Sequence, residues 1–114
     1  MLDMINAAWW VYEIGTGYDF LSKGWCQILG YDFGELDNSV DTWLKIIHPE
    51  DKALAEERLK DHIENGTRYA LEARYLHRNG EYVRLKDKGS VVYWNEDGSP
   101  AVVVGFQERM DDER

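Results

Sequence analysis

The order of hydrophobic periodicities along these 114 residues predicts an α+β fold, a five-stranded antiparallel sheet with several short helices and one longer helix on one face. Apolar residues alternate near the start, recur at helical spacing through the middle, and alternate again from Tyr69 onward. Two glycine turns, Asn79-Gly80 and Glu96-Asp97-Gly98, cut that last third into three strands. A Pro49-Glu50-Asp51 start and an Asn65-Gly66 stop bracket the one long helix.

The first strand, Trp9 to Ile14, is aromatic and β-branched and stops at Gly15-Thr16-Gly17, where the backbone is free to turn. Tyr18 to Leu21 returns as a short second strand. Trp25, Ile28 and Leu29 then fall at helical spacing, and Gly30 ends that helix as a left-handed cap. Residues 32–47 are expected to hold two short helical pieces, with Asp41 capping a turn that carries Trp43, Leu44 and Ile47. In the longer helix Pro49 sits where its missing N–H is harmless, and Glu50 and Asp51 meet the positive end of the helix dipole. Ala55, Leu59 and Ile63 form one apolar stripe on it. Tyr69 to Tyr75 alternates with its odd positions apolar. Residues 81–94 return, with Val83, Leu85 and Val91 on one face and Tyr82, Arg84, Lys86 and Lys88 on the other, and Ala101 to Glu108 closes the sheet.

Length and composition bound the function. The chain is expected to form a single domain over residues 1–114, with the polar stretch 110–114 leading to a linker or output domain. Five tryptophans and seven tyrosines supply a core, so stability has to come from packing, because the lone Cys26 has no disulfide or zinc-site partner. A net charge of −9 argues against nucleic acid. No apolar run is long enough to span a bilayer and no secretory signal opens the chain, so a cytoplasmic location without membrane insertion is expected. Charge is uneven: residues 1–57 hold three basic and eleven acidic side chains, residues 58–114 ten and eleven.

A set of local motifs in this order resembles the PAS fold, in the branch common in bacterial histidine kinases and cyclic-dinucleotide enzymes. They are W-C-Q-I-L-G-Y at Trp25 to Tyr31, Glu35-Leu36, Trp43 followed by Ile47-His48-Pro49-Glu50-Asp51, Glu72-Ala73-Arg74, Asn79-Gly80-Glu81-Tyr82, Lys88-Gly89, and Glu96-Asp97-Gly98-Ser99-Pro100 leading to Val104-Gly105-Phe106. The resemblance implies a regulatory sensor rather than an enzyme, fused to an output domain such as a histidine kinase or cyclic-dinucleotide enzyme. It implies a pocket between the sheet and the helices, an outer sheet face used for homodimer contact, and signal relay by ligand binding or dimer rearrangement. A ligand-free dimerisation module is the alternative. This chain departs from the branch in carrying Arg84 where Trp is common, and Arg109-Met110-Asp111 where Asp-Ile-Thr often anchors an exit helix.

Inward parity and family position together nominate Tyr12, Trp25, Leu29, Trp43, Leu59, His62, Ile63, Tyr75 and Val103 as pocket residues. The cofactor, if any, is left open. Haem-binding relatives place an iron ligand on the helix that carries His62, but a histidine hydrogen-bonded at the edge of the core is the preferred reading. Flavin photosensors carry Asn-Cys-Arg-Phe on a later helix, and Cys26 lies in no such motif. His48, beside Glu50 and Asp51, reads as a cap and not as part of a catalytic set, since no nucleophile pairs with it. Asn65-Gly66-Thr67 matches a glycosylation acceptor without the secretion signal that would give it meaning. Arg84, Lys86 and Lys88 share one strand face and are the candidate interaction surface, suited to an acidic partner.

Overall fold

The computed structural model describes residues 7–110, so Asp111 and the rest of the polar tail lie outside the described residues. The elements run β1 (Trp9–Glu13), β2 (Asp19–Leu21), α1 (Lys23–Ile28), α2 (Val40–Ile46), α3 (Pro49–Asn65), β3 (Tyr69–Leu76), β4 (Tyr82–Trp94) and β5 (Pro100–Arg109). The five strands form one antiparallel sheet in the order β2-β1-β5-β4-β3. Among the described residues no helix is long and apolar enough to cross a membrane.

The middle of the chain differs from the sequence expectation. A single helix, α2, replaces the two pieces foreseen over residues 32–47. The stretch before it is a turn closed by Glu35 N–H on the Asp32 carbonyl, with the Glu35 carboxylate reaching back to Asp32 N–H. Asp41 is not the cap. Ser39 caps α2 by accepting from Asp41 N–H at 3.1 Å, which leaves Asp41 in the first turn. His48 does cap α3, its Nδ1 accepting from Glu50 N–H at 3.0 Å, and Gly66 closes that helix at φ +72°.

Alternation along each strand sorts the sheet into two faces, and lateral register joins the inward residues into rows. One row reads Leu21, Trp10, Gly105, Gly89, Tyr69 across all five strands. The paired glycines are there for space. A Cβ on Gly105 would lie 2.1 Å from Trp10 Cζ2 and 2.7 Å from the Lys88 carbonyl oxygen, and one on Gly89 would lie 2.9 Å from Trp10 Cη2. The Trp10 indole therefore covers the glycines of two strands and meets Tyr69 edge-on, with ring centroids 5.9 Å apart.

Both sheet edges are closed by hydrogen bonds from outside the sheet. On β3, the Asp51 carboxylate accepts from Arg74 N–H at 2.8 Å and from its guanidinium at 2.9 and 3.0 Å, while His48 N–H donates to the Arg74 carbonyl. Arg58 reaches the Ala70 carbonyl on the same edge. On β2, Asn38 takes the Asp19 and Leu21 N–H groups with its carbonyl and its side-chain oxygen. The start of β1 and the end of β5 are joined by Gln107 N–H on the Ala8 carbonyl. Edge groups occupied in this way are not open to another strand.

The glycine notch gives a direct test. Gly105→Ala forces the indole or the β4 backbone to move, and urea denaturation is expected to show a loss of about 3 kcal/mol, the upper end for overpacking. A loss under about 0.5 kcal/mol would show that the notch is not tight.

Candidate functional site

Between the sheet, α2 and α3 lies an inner cavity. Five aromatic side chains line it: Tyr12 and Trp10 from β1, Trp25 from α1, Trp43 from α2 and Tyr69 from β3. Val40 and Leu59 complete the apolar wall, and among the described residues Asp19 of β2 is the one ionisable carboxyl in it. The space open to a water centre is about 20 Å³, room for roughly one small molecule the size of water. Tyr12, Val40, Trp43 and Leu59 also line a surface groove of about 300 Å³ on the same measure, rimmed by Leu44 and Ile63 and by Glu56, Lys60 and Glu64 of α3. The groove and the inner cavity thus share four lining residues.

Beneath the cavity floor sits a hydrogen-bond network centred on Asp87, which is 1% exposed. Its Oδ1 accepts from Trp10 Nε1 at 2.6 Å. Its Oδ2 accepts from the Tyr75 hydroxyl at 2.8 Å and from Gln107 Nε2 at 3.1 Å. Trp43 Nε1 donates in turn to the Tyr75 oxygen at 3.0 Å, which extends the network to α2. Burial pushes the Asp87 carboxyl up to about 6, against the pull of the three donors.

Asp19 is built differently. It is 5% exposed, and its Oδ1 has no hydrogen-bond partner among the described residues. Burial, reinforced by the like charge of Asp87, pushes its carboxyl up to about 8. Asp19 in turn adds to the burial that raises the Tyr12 and Tyr69 hydroxyls, so both phenols stay protonated around it.

Of the residues nominated from sequence, Tyr12, Trp25, Trp43 and Leu59 lie on the inner cavity, and Ile63 lies on the groove. Leu29, His62, Tyr75 and Val103 are buried in the core and line neither space. His62 Nδ1 faces the Thr67 carbonyl at 2.5 Å, the ring is 6.0 Å from that of Tyr69, and its buried Nε2 has no partner among the described residues. Cys26 is on the buried side of α1, and desolvation raises its thiol. His48 packs against Tyr82 and caps α3. Among the described residues no His, Cys, Asp and Glu side chains cluster as a metal site.

Sequence reasoning passed over Asp19, Asp87 and Trp10. The signal was present for all three, since each occupies an inward position by strict alternation: Trp10 beside Tyr12, Asp19 beside Leu21, and Asp87 after Val83 and Leu85. Arg84, Lys86 and Lys88 stand on the outer sheet face as expected, with Lys86 in register between Glu72 of β3 and Glu108 of β5. Arg109, where the branch often has an acid, continues β5 and pairs with Leu85.

This architecture defines an α+β domain whose helices enclose a small interior space against one face of an antiparallel sheet. The profile of the PAS fold family matches residues 18–107, and the chain belongs to that family. It is similar to a solved sensory box histidine kinase/response regulator from Burkholderia thailandensis E264, at 30% identity and a TM-score of 0.80, covering 95% of this chain and 79% of that one. It is also similar to the N-terminal domain of a diguanylate cyclase with PAS/PAC sensor from Marinobacter aquaeolei, at 27% identity and a TM-score of 0.80, covering 90% and 94%. A Rhodobacter sphaeroides LOV protein shares the fold at 15% identity and a TM-score of 0.74, covering 96% of this chain and 62% of that one. No curated protein matches the sequence.

The two raised carboxyls fix a pH dependence. Each keeps its proton in the native state to a higher pH than in the unfolded chain, where an aspartate titrates near 4. The native state therefore binds more protons between about 4 and about 8, and stability falls as pH rises through that window. Asp51 acts oppositely: Arg74 holds it at about 2, so its contribution is present above the ordinary carboxylate range and is lost as pH falls through its native value. Asp19→Asn is expected to melt higher than the parent at pH 8.5 and to show a flatter Tm profile from pH 5 to 8.5 by calorimetry. Parallel profiles for the two proteins would remove Asp19 as the source.

Proposed function

We propose that this chain is the cytoplasmic sensory module of a larger bacterial signalling protein. A small ligand lies in the α3 groove, extends a small group into the inner cavity, and shifts the sheet so that an output domain, such as a histidine kinase or cyclic-dinucleotide enzyme, changes state. In this reading the chain itself is a single regulatory domain and catalysis belongs to the output. The observation that carries it is Asp19 Oδ1, buried without a partner among the described residues, in an aromatic cavity that shares four lining residues with the surface groove. Burying a lone polar group costs stability, and such groups concentrate where a ligand supplies the missing partner. The similarity to the solved sensory kinase and cyclase domains supports the same reading.

A fragment screen by two-dimensional NMR, spanning charged and neutral small molecules, checks it. Binders are expected to perturb Tyr12, Trp25, Trp43 and Leu59 and to lose affinity at least tenfold in Leu59→Trp, whose larger ring fills the cavity. A screen in which no fragment perturbs those residues would defeat the sensing role.

The outer face supports a second reading, assembly with another copy. Trp9, Phe20 and Phe33 cluster there in tilted and edge-on contact, with ring centroids 5.2 and 6.1 Å apart, and Phe106 of the adjacent strand is 58% exposed. This apolar strip adjoins Arg84, Lys86 and Lys88, which would meet acidic side chains of the partner copy. Phe106→Glu is expected to weaken self-association at least tenfold in analytical ultracentrifugation. An unchanged dissociation constant would take this face out of the assembly.

A further inference from the structure

We propose that the inner cavity takes a small primary alkylammonium ion, its cationic head against Asp19 and its hydrocarbon tail in the α3 groove. This inference rests on the sensing role proposed above and names the chemistry of the ligand.

Four observations point to a cation. Asp19 Oδ1 is buried without a partner among the described residues, so the cavity holds an acceptor that nothing nearby satisfies. The rings around it are three indoles and two phenols, whose π-faces attract cations. The N–H groups of Trp10 and Trp43 are already spent on Asp87 and Tyr75, so those two rings offer the cavity carbon and π-electron density rather than donors. Among the described residues no basic side chain lines the inner space, and the adjoining groove carries Glu56 and Glu64 against the single Lys60.

Size selects among cations. About 20 Å³ admits an ammonium head but not a trimethylated one, whereas the groove of about 300 Å³ beyond Tyr12, Val40, Trp43 and Leu59 has room for a short alkyl chain. A head with three N–H donors also answers the orphaned oxygen directly, which a quaternary ammonium cannot do.

Binding is then coupled to a proton. In the empty cavity Asp19 keeps its proton up to about pH 8, and a cation favours the ionised form, so the ligand displaces that proton to solvent. Among the described residues, the groups facing Asp19 are Asp87 from β4 and the protonated hydroxyls of Tyr12 from β1 and Tyr69 from β3, while α1, α2 and α3 bring only Trp25, Val40, Trp43 and Leu59 to the cavity. Asp87 opposes ionisation of Asp19 and so makes the pocket depend more strongly on the positive charge of its guest. Affinity should rise roughly tenfold per pH unit while one proton is released.

Isothermal titration with n-butylammonium, tetramethylammonium and n-butanol at pH 6, 7 and 8, in buffers of different ionisation enthalpy, tests this. Butylammonium is expected to bind, to tighten about tenfold per unit, and to release close to one proton at pH 6 to 7. Asp19→Asn is expected to lose at least tenfold in affinity together with the pH dependence, while its cooperative melt reports that it folds. Tetramethylammonium and butanol are expected to bind at least tenfold more weakly. Butanol binding as well as butylammonium, affinity that falls with pH, or unchanged affinity in Asp19→Asn would each overturn the cation assignment. Failure of all three probes also overturns it, and the neutral fragments of the NMR screen then decide separately whether the cavity senses anything.

Discussion

One buried carboxylate holds the interior together. Asp87 takes donors from β1, β3 and β5, and through Tyr75 it reaches α2, so four elements remote in sequence are tied to one side chain. Such a group stabilises only while every partner is in place, because a buried acceptor or donor left alone costs more than its hydrogen bond contributes. The network therefore specifies an arrangement more than it adds net stability. It fixes the azimuth of Trp10, whose ring then needs the space left by Gly89 and Gly105. The position of Trp10 in turn shapes one wall of the inner cavity.

The sheet edges show the same economy of parts. His48, Asp51 and Arg74 belong to motifs separated by more than twenty residues, and the structure brings them together as one fastening between the start of α3 and the free edge of β3. The motif pairing has a physical basis: an edge strand has unpaired backbone groups, and a helix start has a carboxylate to spare. Because α3 is anchored at that end, Leu59 and Ile63 further along it are held over the cavity and groove.

Much of this was legible in the sequence. Strand alternation, the two glycine turns and the bracketed helix gave element order, and ordered local motifs gave the family. What misled was the stretch around Asp37 and Asp41, where short polar residues satisfy turns and helix starts equally well, and Ser39 rather than Asp41 won the cap. The site was less legible for a different reason. An acid is discounted at an inward position on sight, so Asp19 and Asp87 were passed over although alternation places both inside. Parity nominated Tyr75 and Val103 just as strongly, but whether an inward side chain meets a void or a neighbour depends on packing across strands, which no single segment encodes.

The pairing of Gln107 with Ala8 has a topological consequence. Because β1 and β5 are antiparallel neighbours, the polypeptide comes into the sheet and goes out of it at a single corner. A twist of β5 against β1 is felt at once where the chain enters and where it leaves, with no lever arm between.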